Sequence, residues 1–187
     1  MKTYNRYFLS ITLWLAVITF NNLAAQNKYL DKSGVITFEA SEKLFEEVKA
    51  TNSTVTAIYN EDTKQIASLA LVKGFRFKNS LMEEHFNENY IESHLYPKAT
   101  FKGVLQDFKG DLGVETKEVA VIGSLKLHGK EKEIETVLKL QKVNDVISIT
   151  GEFIVAPSDF DIEIPKLVEN KIAKEVHITI SFKLHKK

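Results

Sequence analysis

The chain contains no cysteine, and only 3 prolines and 8 glycines among 187 residues. Without cysteine there is no disulfide framework, no thiolate metal site and no thiol nucleophile. So little glycine and proline excludes collagen-like and low-complexity classes. An excess of one charge is missing too, since 25 Lys and Arg balance 25 Asp and Glu. A chain without basic excess is poorly suited to neutralise phosphates, which argues against nucleic acid as a partner. Gly-x-Ser-x-Gly elbows and glycine-rich phosphate loops are absent. The motifs of nucleophilic and phosphoryl-transfer enzymes are therefore missing, and no cofactor is implied. Apolar residues make up 44% of the chain, which is enough to build a core.

One long apolar run stands at the start. Lys2 and Arg6 are the only charges among the first 25 residues; Tyr7 to Phe20 follow as YFLSITLWLAVITF, then Leu23-Ala24-Ala25-Gln26. A basic start, a short apolar stretch and small residues before a polar one form a secretory signal peptide. The run is shorter than the roughly 20 residues that span a membrane. Residues 1–25 are thus expected to be removed. Residues 26–187 would form a single domain in the periplasm or outside the cell, without an integral membrane span.

Period-2 alternation dominates the remainder. Val176, Ile178, Ile180, Phe182 and Leu184 share one face of a segment; His177, Thr179, Ser181, Lys183 and His185 share the other. Similar segments lie around Ile36–Ala40, Ala99–Leu105, Val119–Leu127, Ile134–Gln141 and Ile147–Val155, with less regular ones at 47–60 and 65–77. That makes eight strands. Asn60-Glu61-Asp62, His128-Gly129-Lys130 and Asn144-Asp145 supply short turns, which join antiparallel neighbours. Residues 80–91 (SLMEEHFNENYI) break the pattern with helical spacing, and Ser80 with Glu83 reads as a capping box. The prediction is an all-β fold: an eight-stranded antiparallel lipocalin-like β-barrel with a short helix between strands three and four. A β-sandwich is the competing arrangement. Closure removes exposed edges, and eight strands can enclose one small ligand.

The stretch from Gly74 to Gly103, GFRFKNSLMEEHFNENYIESHLYPKATFKG, resembles the YceI-like family of exported, lipocalin-like bacterial proteins. The matching features are a strand, a short helix carrying His85 and acids, the aromatics Phe86 and Tyr90, then Tyr96-Pro97 and Phe101-Lys102-Gly103. Ser158-Asp159-Phe160-Asp161 is a second match, and its continuation Ile162-Glu163-Ile164-Pro165-Lys166-Leu167 is similar to a subgroup found in Bacteroidetes-type bacteria. The likeness spans about residues 29–184. Many members open with Asp-x-x-His-Ser, where this chain has Asp31-Lys32-Ser33-Gly34. The resemblance implies a non-catalytic carrier of an isoprenoid or fatty-acid type lipid.

The residues themselves allow several candidate sites. His85, Glu84 and Glu88 fall within one helical turn, but Asn89 stands where an inverted zinc motif has its second histidine. Ser181 with His177, Lys183 and His185 is the polar face that an outer strand surface requires. The aromatic set is the stronger signal. Phe75, Phe77, Phe101, Phe153 and Phe182 fall on strands, and Phe86, Tyr90 and Phe160 on the helix or the loop 156–171; Met82 joins them from the helix as a flexible apolar side chain. These nine either fill a solid core or line a cavity, and the family resemblance favours a cavity. A packed barrel serving as a secreted interaction or stress-response module is the alternative, and an enzyme on the same fold a more distant one.

Overall fold

The computed structural model describes residues 27–42 and 45–187; the expected signal peptide lies outside them. Alternation becomes strand in β1 (Lys28–Ser41), β2 (Lys49–Asn60), β3 (Gln65–Leu71), β4 (Arg76–Phe77), β5 (Lys98–Leu105), β6 (Lys117–Leu127), β7 (Lys130–Val143), β8 (Val146–Val155) and β9 (Ile172–Lys186). Neighbours pair antiparallel in the order β1-β9-β8-β7-β6-β5-β3-β2, and β2 pairs back onto β1. The sheet is a closed barrel of eight staves. The short β4 continues the stave of β3 along β2, through Ala50 opposite Phe77 and Thr51 opposite Arg76.

Two interruptions were not visible as alternation. The expected strand 65–77 is split by a 3-10 turn at Val72–Gly74. Asn52, fully buried on β2, causes the break. Its Nδ2 donates to the Leu71 carbonyl at 2.9 Å, while its Oδ1 accepts from the Thr54 backbone and hydroxyl. Gly74 passes directly over this amide, where an added Cβ would stand 2.6 Å from Nδ2. In β1, Tyr29 and Asp31 face inward at odd positions, and Ala40, with the cavity-facing Ile36 and Phe38, at even ones. Register shifts against β2 on both sides of Gly34 switch the phase, as a bulge does. Buried Asp31 ties this irregular stretch down, accepting from the Lys183 amide at 2.7 Å and the Ser33 amide at 2.8 Å.

The hairpin turns follow local chemistry. His128 and Gly129 both have positive φ, 48° and 75°, as a two-residue turn matched to strand twist requires. Asn144, at φ 54°, starts the β7–β8 turn.

The barrel is packed at one end and open at the other. Tyr29, Tyr59, Val121, Leu140, Ile147 and Leu184 are each no more than 1% exposed and fill the end where the chain enters and leaves. Leu112, from the β5–β6 connection, closes over that end. The opposite end carries residues 45–48 and the connections 72–97, 128–129 and 156–171. Among the described residues, no helix is long and apolar enough to cross a membrane.

Candidate functional site

At the open end the barrel is hollow. The cavity measures about 470 Å³, within the range of roughly 300–1,000 Å³ usual for small-molecule sites. Its floor is made by Ile66, Leu138 and Phe182, the last rows before the packed end. All nine residues singled out from the sequence line it: Phe75, Phe77, Met82, Phe86, Tyr90, Phe101, Phe153, Phe160 and Phe182. Strand alternation aims Phe101, Phe153 and Phe182 inward from β5, β8 and β9.

Phe101 has room because the wall beneath it lacks side chains. Gly103, two residues along the same face, is paired with Gly123 of β6. A Cβ on either would stand within 2.8 Å of the Phe101 ring. The Phe-x-Gly motif is therefore a ring lying on a glycine floor.

The helix α1 (Ser80–His85) runs into a wider π turn at Phe86–Tyr90. Its N-cap is Asn79, whose side chain accepts from the Leu81 and Met82 amides, and not Ser80 as the capping-box pattern predicts. Glu83 does not complete that capping box. Its carboxylate holds Arg76 at 2.6 Å and accepts from the Phe77 amide at 3.1 Å, joining the helix to β4. Leu81 is 55% exposed. Met82, Phe86 and Tyr90 do face the cavity. The wider winding brings Ile91 back into the core through its bond to the Phe86 carbonyl, 2.9 Å.

Phe86 is the centre of an aromatic knot. Its ring lies 5.2 Å from Phe38, 5.2 Å from Phe77 and 6.2 Å from Phe75. Tilted and edge-on contacts at such distances are the favoured aromatic geometry. Phe38 also lines the cavity, and its alternation with Ile36 and Ala40 points it inward, although it is not in the aromatic set read from the sequence.

The fourth side of the mouth is the 3-10 turn Pro157–Phe160 and the loop after it. Phe160 is fully buried against Ile134 and Val155. Its carbonyl is bound by His128 Nδ1 at 2.8 Å, whose Nε2 meets Glu92 at 3.0 Å. Tyr96 stacks edge-on against His128 at 4.5 Å and covers Gly129, which gives the Tyr96-Pro97 motif its place. Asp159 pairs with Lys132 and accepts from the Ala156 amide at 3.2 Å. Those two hydrogen bonds hold its carboxyl below the usual carboxylate range, the lysine first. Asp161 raises Lys130 through a hydrogen bond and ion pair at 2.6 Å. Ile162, Ile164 and Val168 then line the cavity from the loop; their apolar spacing was legible, but a loop has no period to give it direction.

Polar groups are few. Ser68, Thr100 and Thr136 touch the cavity from its wall, and the exposed Glu46, His85 and Lys171 stand at its rim. Such a site holds an apolar body and orients one polar end. His85 and Glu88 are exposed, and among the described residues no group of three His, Asp or Glu is placed to hold a metal ion. His177, Ser181, Lys183 and His185 lie exposed on the outer face of β9, away from the cavity.

The fold is similar to solved bacterial structures. A polyisoprenoid-binding domain from Saccharophagus degradans, implicated in plant cell wall breakdown, has 16% identity and a TM-score of 0.75, covering 87% of this chain and 99% of its own. BcnA of Burkholderia cenocepacia has 14% identity and a TM-score of 0.66, covering 80% and 95%. The YceI protein of Campylobacter jejuni has 15% identity and a TM-score of 0.61, covering 76% and 87%. No curated protein matches. The model of the YceI-like domain matches residues 29–184, nearly the whole described barrel, and the chain belongs to that family.

Proposed function

We propose that this protein is an exported, non-catalytic carrier that holds one amphiphilic lipid-like molecule, of isoprenoid or fatty-acid type, in its barrel. The tail occupies the hollow end, and the head lies at the rim near α1 and the loop 156–171. The observation that carries this reading is the cavity: about 470 Å³, walled mainly by aromatic and aliphatic side chains, with Glu46, His85 and Lys171 at its rim. A solid interaction module would have no reason to keep that volume, because an unfilled apolar cavity is destabilising. The polyisoprenoid-binding domain of Saccharophagus degradans, which shares the fold, agrees with the ligand class. The signal-peptide pattern in residues 1–25 supports export.

The test is mass spectrometry of organic extracts from protein purified out of its own host, beside reloading of delipidated protein. About one lipid per chain is expected. A protein that carries none, even when offered isoprenoid quinones or fatty acids, overturns the reading and favours the interaction module.

A further inference from the structure

The barrel wall is not continuous. β7 and β8 share six rungs, from Val143 opposite Val146 to Leu138 opposite Gly151, and then separate. Beyond that point Lys130–Val137 pairs only with β6, and Glu152–Val155 only with β9. The separation starts at Gly151, where a Cβ would stand 2.3 Å from Leu138. The Thr136 hydroxyl donates to the Glu152 carbonyl at 2.7 Å, occupying the first carbonyl the ladder abandons. The other end of the gap is shut by Phe160 and the Lys132–Asp159 pair. What remains is a window of about 500 Å³. Inward residues (Thr136, Phe153) and outward ones (Glu135, Ile154) of both strands line it, so it lies in the wall between the two strand edges. Thr136 and Phe153 line the inner cavity as well. These two residues are the ones that cavity and window share.

The cavity volume of about 470 Å³ holds on the order of 15 methylene-sized groups, taking for each about the 30 Å³ of a water in the liquid. With its head at the rim and the floor closed by Leu138 and Phe182, the tail of a longer chain must leave through the wall. We propose that the β7–β8 window is a second, lateral opening of the cavity, through which a chain too long for the hollow passes between Thr136 and Phe153. This deepens the carrier reading and rests on it.

The absence of cysteine makes the test direct. A solvent-sensitive thiol label on Ile154→Cys, at the outer lip, is followed while lauric acid and then nervonic acid displace a fluorescent dye from the cavity. Both acids are expected to displace the dye, and only the longer nervonic acid to shift the label. Bridging Glu135→Cys and Ile154→Cys with a short bis-maleimide is expected to weaken nervonic acid about tenfold, the equivalent of about 1.4 kcal/mol, with lauric acid unchanged. Dye displacement by nervonic acid without a label response, or equal weakening of both acids, overturns the window. Failure of nervonic acid alone to displace the dye overturns the window, and failure of both acids overturns the carrier reading itself.

Discussion

Phe182 lies with its ring against the Gly34 backbone, where a Cβ would stand 2.5 Å away. It is 2% exposed and forms part of the cavity floor. Phe182→Ala should therefore cost about 3–5 kcal/mol, a core deletion that its neighbours cannot fill. Ser181, one residue earlier on the outer face, should tolerate alanine within about 0.5 kcal/mol. Equal denaturation midpoints for the two variants would show the face assignment to be wrong. Gly103 offers the converse experiment, in which atoms are added. Gly103→Ala drives a methyl toward the Phe101 ring at 2.8 Å and the Ile122 carbonyl at 3.0 Å. The expected cost is about 1–3 kcal/mol. Phe101→Leu in the same chain should return part of it, because the two residues compete for one space. A double variant no better than the sum of its single changes would remove the glycine-floor explanation.

The helix and the 3-10 turn are the elements that make the mouth, and they are fastened differently. The helix is held by Phe86 among Phe38, Phe75 and Phe77, so Phe86→Ala should reduce both stability and lipid retention. Tyr90 touches the cavity outside that knot. Tyr90→Ala is thus the cleaner probe: bound lipid per protein should fall while the unfolding midpoint barely moves. Full occupancy in Tyr90→Ala would take that residue out of the site. The turn Pro157–Phe160 depends on an ionised Asp159. Its carboxyl is held below the ordinary value by Lys132 and the Ala156 amide. A depressed carboxylate stabilises above its unfolded pKa, near 3.9, and that contribution disappears as pH falls through the folded value. The midpoint difference between wild type and Asp159→Asn should be constant from neutral pH down to about 5 and close below about 4. A difference that persists unchanged in strong acid would mean the pair does not fasten the turn.

At the scale of the whole molecule, the two ends divide the work. The packed end, built on Tyr29, Tyr59, Leu140, Ile147 and Leu184, holds the staves together. The stability concentrated there lets the other end stay hollow without a disulfide. Ligand should consequently stabilise the protein by mass action, about 2.7 kcal/mol at a hundredfold excess over Kd. Delipidated protein should unfold at lower denaturant than loaded protein; coincident curves would argue that nothing fills the hollow. The export proposal predicts that N-terminal analysis of the protein purified from its host finds a start near Gln26; soluble protein that still begins at Met1 would refute it.

The eight staves, their antiparallel sense and the inward set of β9 were legible because each depends on one segment's own alternation or on a two-residue turn. Of the nine cavity-lining residues singled out, Phe101, Phe153 and Phe182 were legible for the same reason; Met82, Phe86, Tyr90 and Phe160 have no strand alternation to aim them. Alternation does not report on partners, and there the tertiary structure decided. Gly34 switches the phase of β1 because of a bulge against β2. Asn52 breaks the stave 65–77 by bonding Leu71, and Asn79 displaces Ser80 as the helix cap. β7 and β8 separate past Gly151 although both segments alternate well. Whether inward side chains meet in the middle was also beyond any local pattern. Phe38, Phe86 and Phe160 come from three distant parts of the chain, and only their packing leaves the volume between them empty.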